Sequence, residues 1–456
     1  MLKESPKFEK RIGIWFYFTR TEGIGGKIKT KPTDFFVREI TNREEGEEGN
    51  YLIAELTKEN WDTHSVIREI SRRLRVSRNR IGFAGTKDKL AVTTQKISIW
   101  STDIDEKELE RVKIKSVTLK ILGRSNKAVS LGDLYGNEFE IVIRGIEGIK
   151  EEIKGTIEKI TTEIENAGGI PNFFGVQRFG VSRPITHVVG KYLIKGEIKE
   201  AVMSYISDVF PCESEEAKRA RLLCKGGELK ELKEGLKRMP SFLRYEKAML
   251  NELVKGGTES INEANFLSAF SVLPKNLQKL FVHAYQAYLF NLVLSRRMKQ
   301  SLPFNEALVG DAVCFRNKFG FADIDMDRIE KVTEDKTEGI NRLIKRGRVF
   351  VTVPVFGYET EFAEGVEGEI EREVLREEGI DLSDFHIEQI PEISSKGTRR
   401  PVLVPVKVKL GNEGVSDDGI NPYRNKAKLK FFLPKGSYAT VVLREYMKRK
   451  ASGLEA

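Results

Sequence analysis

The sequence predicts an α+β chain in which one mixed or antiparallel sheet is interrupted by an inserted, helix-rich α/β segment. Three observations predict it. The first third of the 456 residues alternates short strand-like and helical stretches, the middle is helix-rich, and strand character returns strongly near the C-terminus. At ~100–200 residues per domain, the length allows two to four domains or one large fold carrying an insertion. No internal repeat of ~20–50 residues is present.

The elements follow in order. Residues 51–56 form a short apolar strand, and residues 61–74 place Val66, Ile67, Ile70 and Leu74 on one helical face with arginines opposite. Residues 92–100 alternate as a strand. Residues 138–144 (EFEIVIR) alternate again, entered through the turn signal Gly136–Asn137. Residues 150–166 have helical period and stop at Gly168 and Gly169. Between about 197 and 300 the chain is helical, strongly charged over 222–239 and with a long apolar pattern over 280–298. Residues 347–356 read as a strand, and the acidic stretch that follows has helical spacing, as a solvated face would. Residues 401–410 and 429–433 resume strand character, and residues 439–450 read as a closing helix.

With 40% hydrophobic and 9% aromatic residues, the composition is globular and excludes wholesale disorder. Cys212, Cys224 and Cys314 form neither a CxxC pair nor a disulfide framework, which fits a reducing compartment. His64, His187, His283 and His386 lie too far apart for a local metal motif. No apolar run approaches the ~18 residues of a membrane span. The reading is a soluble, cytoplasmic protein.

The net charge of +9 is a difference between concentrated opposites. Residues 64–89 carry +6, residues 392–409 carry +4 and residues 423–450 carry +8, whereas residues 359–390 carry −10. Basic charge gathered in segments is what a phosphate path requires.

Three motifs stand out. In residues 81–95, IGFAGTKDKLAVTTQ, two glycines put TKDK on a loop, with Asp88 between Lys87 and Lys89. Flanking cations favour the charged form of a carboxylate, which suits a nucleophile or electrostatic stabiliser; an ordinary surface turn with an Asp–Lys pair is the competing reading. A phosphate loop is excluded, because Gly85-Thr86-Lys87 is followed by Asp88 rather than Ser or Thr. Residues 170–180, IPNFFGVQRFG, combine three phenylalanines with Asn172, Gln177 and Arg178, a set that can stack and hydrogen-bond unpaired bases or simply fill a core. Residues 31–39 (KPTDFFVRE) and 431–445 (FFLPKGSYATVVLRE) set Phe35, Phe36 and Tyr438 beside loop signals and basic residues such as Lys435.

These motifs together, with YQAYLFN at 285–291, resemble the TruD family of tRNA pseudouridine synthases over nearly the whole chain. The resemblance implies a pseudouridine synthase catalytic fold in two parts, residues 1–190 and 400–456, interrupted by a TRUD domain over 191–399. It implies that Asp88 is the catalytic aspartate and that Phe35, Asn172 and Tyr438 contact the substrate. Some relatives carry Phe at the position of Tyr438, so stacking rather than the hydroxyl is expected to matter there. Lys87, Lys89, Arg178 and Lys435 are the RNA-binding candidates. The implied reaction converts uridine, expected at tRNA position 13, to pseudouridine without metal, redox cofactor or nucleotide energy, so no cofactor is expected and tRNA is the expected partner. Other readings are a synthase acting mainly on a different RNA and a non-catalytic RNA-binding protein. Two routes satisfy the chemistry, a covalent Asp–C1′ adduct or elimination through a glycal.

Overall fold

The computed structural model describes residues 2–101, 106–255 and 262–448. The chain divides into two compact units, one formed by Thr19–Ile170 with Val404–Arg449, the other by Met1–Phe18 with Pro171–Leu403. We call them the sheet unit and the helical unit.

The sheet unit is built on eight strands. Six come from the N-terminal part: β1 (Phe35–Ile40), β2 (Tyr51–Glu59), β3 (Ile81–Phe83), β4 (Val92–Trp100), β5 (Val117–Ser125) and β6 (Gly136–Ile146). The C-terminal hairpin of Lys409–Asp417 and Asn425–Pro434 completes the sheet by pairing with β6, antiparallel from Asn425 opposite Ile146 to Pro434 opposite Gly136. β1 lies between β6 and β4 and is parallel to β4, with Phe36 opposite Val92. Strands distant in sequence thus form one mixed sheet, as the returning strand character predicts. Alternation sets the covered face: Leu52, Ala54 and Leu56 of β2 and Ile97 and Ile99 of β4 pack under Val66, Ile67 and Ile70 of the helix Thr63–Leu74. Asp62 caps that helix by accepting from the Ser65 N–H at 2.9 Å.

The helical unit is organised around the 25-residue helix Lys275–Lys299, which carries the YQAYLFN motif. Its side chains clasp main chain. Asn291 accepts from the Phe174 N–H at 2.8 Å, and its amide donates to the carbonyls of Phe174 at 3.0 Å and Ile12 at 2.8 Å. Ser295 donates to the Gly13 carbonyl at 2.6 Å, and Tyr285 and Tyr288 donate to Glu378 at 3.1 and 3.2 Å. The two compact units divide at 170/171 and 403/404. The start of the NFFGVQRFG motif and residues 12 and 13 are bonded to this helix and belong to the helical unit. The unit also contains a four-stranded sheet centred on Val349–Val355.

Other expectations need correction. The strand expected over 401–410 is not continuous; Pro401 and Pro405 lack an N–H for the ladder, and the chain forms Thr398–Pro401, Leu403–Val404 and Lys409–Asp417 separately. β1 and β5 are strands that periodicity did not single out. The closing helix is Ala439–Met447, and residues 449 and 450 of the expected span lie outside the described residues.

The acidic stretch is not simply a solvated face. The helix Gly365–Glu378 buries Glu367 and Glu371, one turn apart. Arg297 donates to both oxygens of Asp311 at 2.9 Å and to Glu367 at 2.5 Å, while Arg399 donates to Glu371 at 3.2 Å and to the Thr352 carbonyl at 2.9 Å. Three carboxylates thus face two guanidiniums in the interior. Burial pushes Glu367 up to about 7 against the pull of Arg297, with Glu371 and Asp311 raising it further.

A carboxyl group with a raised folded-state pKa contributes stability that is complete below its unfolded value, near ~4.5, and is lost as pH rises through its folded value. Thermal unfolding of Glu367→Gln against the native chain should therefore favour the variant increasingly from pH 5 to pH 8. A Tm difference independent of pH would show that Glu367 is ionised throughout.

Candidate active site

Asp88 lies on the loop between β3 and β4, and almost every polar group near it serves to hold that loop in place. Gln95 of β4 donates to the Gly85 carbonyl at 3.0 Å, and the Thr63 hydroxyl accepts from the Lys87 N–H at 2.9 Å. Lys58 of β2 donates to the Asp88 carbonyl at 2.9 Å. The Lys87 ammonium lies 2.8 Å from Glu39 and donates to the Asn137 side chain at 2.8 Å. Burial pushes the Glu39 carboxyl up, and Lys87 opposes that rise.

The Asp88 side chain remains 41% exposed, so the carboxylate faces outward from a fixed main chain. Its partner is Lys29, whose ammonium lies 3.1 Å from Oδ1. The same ammonium sits 4.3 Å from the centre of the Phe35 ring. One cation therefore brings Asp88 and Phe35 together. Lys29 holds a left-handed backbone, φ 58°, in a segment whose neighbour Lys27 exchanges main-chain bonds with Arg144 at 2.7 and 2.8 Å.

Phe35 itself is 2% exposed and meets Phe139 edge to face at 6.3 Å, and Phe139 stacks on Phe431 at 5.4 Å. The Lys29 ammonium covers the face of the Phe35 ring. Asp34, just before Phe35, is fixed by Arg144, which donates to its two oxygens at 2.8 and 2.9 Å and to Asp418 at 2.6 Å. Burial would raise Asp418, but hydrogen bonds from Asn421, Arg144 and the Gly145 N–H hold it below its ordinary value.

Tyr438 is half-buried at the head of the helix Ala439–Met447, four residues beyond the strand that ends at Pro434. Asn172 belongs to the helical unit, where both ends of its amide are engaged: it donates to the Pro401 carbonyl at 3.0 Å and accepts from Arg400. Phe173, Phe174 and Phe179 of the same motif are buried, so these rings fill the core. Arg178 is half-buried with its guanidinium 5.7 Å from the Phe174 ring. Lys89 and Lys435 are exposed. The Lys87 ammonium, by contrast, is engaged by Glu39 and Asn137, with the side chain only 7% exposed.

Sequence reasoning missed Lys29, Lys58, Glu39 and Arg144. A signal existed for two of them. Glu39 continues the buried set Phe35 and Val37, and Lys58 continues Leu52, Ala54 and Leu56, so a charge interrupts an apolar alternation in each strand. Lys29 and Arg144 carry no comparable mark.

A family model described as tRNA pseudouridine synthase D (TruD) matches residues 11–446. A probable tRNA pseudouridine synthase D of Methanosarcina mazei is 52% identical over 445 residues, covering 98% of each chain. One from Thermococcus sibiricus is 40% identical over 437 residues, covering 95% of this chain and 97% of that one. The crystal structure of a putative tRNA pseudouridine synthase D from Methanosarcina mazei superposes with a TM-score of 0.85 at 51% identity, covering 98% of this chain and 99% of the other.

The two lysines flanking Asp88 should behave differently on substitution. Lys87→Met leaves Glu39 buried without its cation and should cost about 3–5 kcal/mol in denaturant unfolding. Lys89→Met, at an exposed position, should stay within about 0.5 kcal/mol of the native chain. Equal effects would contradict the buried pair.

Proposed function

This chain belongs to the TruD family of tRNA pseudouridine synthases, and on that premise we propose that it isomerises uridine to pseudouridine in tRNA, at position 13, in the cytoplasm. The carrying observation is the Asp88 carboxylate, held outward on a pinned loop and linked through Lys29 to Phe35. Among the described residues, no helix is long and apolar enough to cross a membrane.

The reaction breaks C1′–N1 and forms C1′–C5; the C5 proton is lost and N1 gains one, so nothing is oxidised or reduced. Asp88 acts at C1′, either as the attacking carboxylate or by stabilising positive charge there and removing a sugar proton. The detached uracil must be kept and turned. Phe35, uncovered by movement of Lys29, and Tyr438 supply aromatic surface for that, at about 1–3 kcal/mol per stacked base. Lys29, released from Asp88 as the carboxylate engages the sugar, has its charge free to meet the negative charge that develops on uracil. Asn172 is assigned to substrate through the family resemblance. Extruding the uridine from folded tRNA costs a few kcal/mol, which this stacking offsets.

Asp88→Asn should bind tRNA within a few-fold of the native chain and form no pseudouridine. Retained activity would remove the carboxylate from the mechanism. Tyr438→Phe should keep most of the rate, and Tyr438→Ala should lose at least tenfold. Chemical mapping of pseudouridine in RNA from cells with and without the gene should show loss at tRNA position 13; loss only in ribosomal or messenger RNA would redirect the substrate assignment.

A further inference from the structure

Lys58 occupies a position that the physics of its strand assigns to an apolar residue. β2 directs Leu52, Ala54, Leu56 and Lys58 to one face, and the first three lie in the core cluster beneath the helix Thr63–Leu74. Lys58 has 0% exposure. Burying an ammonium is costly unless an opposite charge accompanies it. Here both acceptors are main-chain carbonyls, those of Trp61 at 2.6 Å and Asp88 at 2.9 Å. Glu39 has Lys87, and Arg144 has Asp34 and Asp418, whereas Lys58 has no ion pair among the described residues.

A methionine would satisfy the alternation and avoid the desolvation cost. What it would not do is hold the carbonyl of Asp88, the residue whose side chain must point at C1′. The charged groups around Lys58 are Asp88 and Lys87 on the β3–β4 loop and Asp62 ahead of the helix Thr63–Leu74. Burial pulls the ammonium down to about 8, against Asp88 and Asp62, which hold it up, and with Lys87 lowering it further.

We propose that Lys58 is a positioning residue for the isomerisation, fixing the main chain of Asp88, and with it the direction of the carboxylate, through a charge-assisted bond from the buried ammonium. This rests on the assignment of Asp88 to the chemistry. The bond is strongest while the amine is protonated, because a charged donor bonds a carbonyl about twice as strongly as a neutral one. Correct placement at the reacting atom is worth about 10²-fold in rate when lost by an ångström.

The test is single-turnover pseudouridine formation at saturating tRNA between pH 6 and 9.5, with tRNA affinity measured in parallel. The native chain should show an alkaline limb near pH 8. Lys58→Met should be about 10²-fold slower at pH 7 with tRNA affinity within threefold, and should lack that limb. A limb from the uridine itself would persist in both profiles, so the difference isolates Lys58. Lys58→Arg, which retains the cation, should recover rate relative to Lys58→Met and move the limb upward. A full rate for Lys58→Met, or rate and affinity falling together with the same pH profile, would overturn the proposal. If the variants fail to fold, a native profile flat to pH 9 overturns it by itself. Full activity of Asp88→Asn would instead overturn the underlying assignment, and is read separately from the Lys58 result.

Discussion

The sheet unit depends on how the eight residues between β3 and β4 are tied to the face they cross. A loop of this kind normally lies on the surface, solvated and mobile. Here successive groups are taken up from below: the Gly85 carbonyl by Gln95, the Lys87 N–H by Thr63, the Lys87 ammonium by Glu39 and Asn137, and the Asp88 carbonyl by Lys58. Every anchor is a polar side chain in an inward-facing slot of the sheet or on the helix that covers it. The Asp88 carboxylate, with the side chains of Thr86, Lys89 and Leu90, is left turned toward solvent. The sheet gives up apolar contacts at Glu39 and Lys58, and the result is a carboxylate whose backbone has few alternatives.

A second polar node organises the neighbouring edge. Arg144, late in β6, holds Asp34 and Asp418 at once, tying the segment that presents Lys29 and Phe35 to the turn of the C-terminal hairpin. Such a node contributes little net stability, because desolvation offsets most of the attraction, but removing one partner is expensive. Its effect is geometric. The hairpin that closes the sheet from the far end of the sequence also fixes the entrance to β1. The helical unit uses the same chemistry in Arg297 with Asp311 and Glu367, and in Arg399 with Glu371.

The fold was legible where one face of an element is apolar. The strand β4 and the helix Lys150–Asn166 follow directly from periods of two and 3.6, and the returning strand character correctly joins the C-terminal hairpin to the N-terminal strands. Legibility failed where charge sits inside. Glu367 and Glu371 read as a solvated face because periodicity cannot show that Arg297 and Arg399, distant in sequence, meet them. Long-range ties of this kind are equally silent in the sequence: a single side chain, Asn291, bonds both the start of the NFFGVQRFG motif and residue 12. At the site, Asp88 was visible from its loop and flanking cations. Lys29 was not, since nothing local marks one lysine in GGKIKTKP as the partner of a carboxylate about 60 positions later.

The same distinction narrows the electrostatic argument for RNA. Of the basic residues in 64–89, Lys87 is spent on Glu39 and Arg80 reaches the Trp100 carbonyl, while Arg72 and Arg73 share the single carboxylate of Glu69. Arg68, Arg72, Arg73, Arg75, Arg78 and Lys89 are exposed. In 392–409, Arg399 is buried against Glu371 and Arg400 lies 4.2 Å from the Phe174 ring, so two of its five cations are structural. Near the C-terminus, Arg424 pairs with Glu147 and Lys430 with Glu140, while Lys448 donates to the Thr19 carbonyl. A phosphate releases counterions only against a cation that reaches it, and a cation already beside a carboxylate presents a dipole at longer range. The charge that matters for a polyanion is therefore a small set of exposed lysines and arginines, with Lys89 next to Asp88 among them, rather than the summed charge of the segments that contain them.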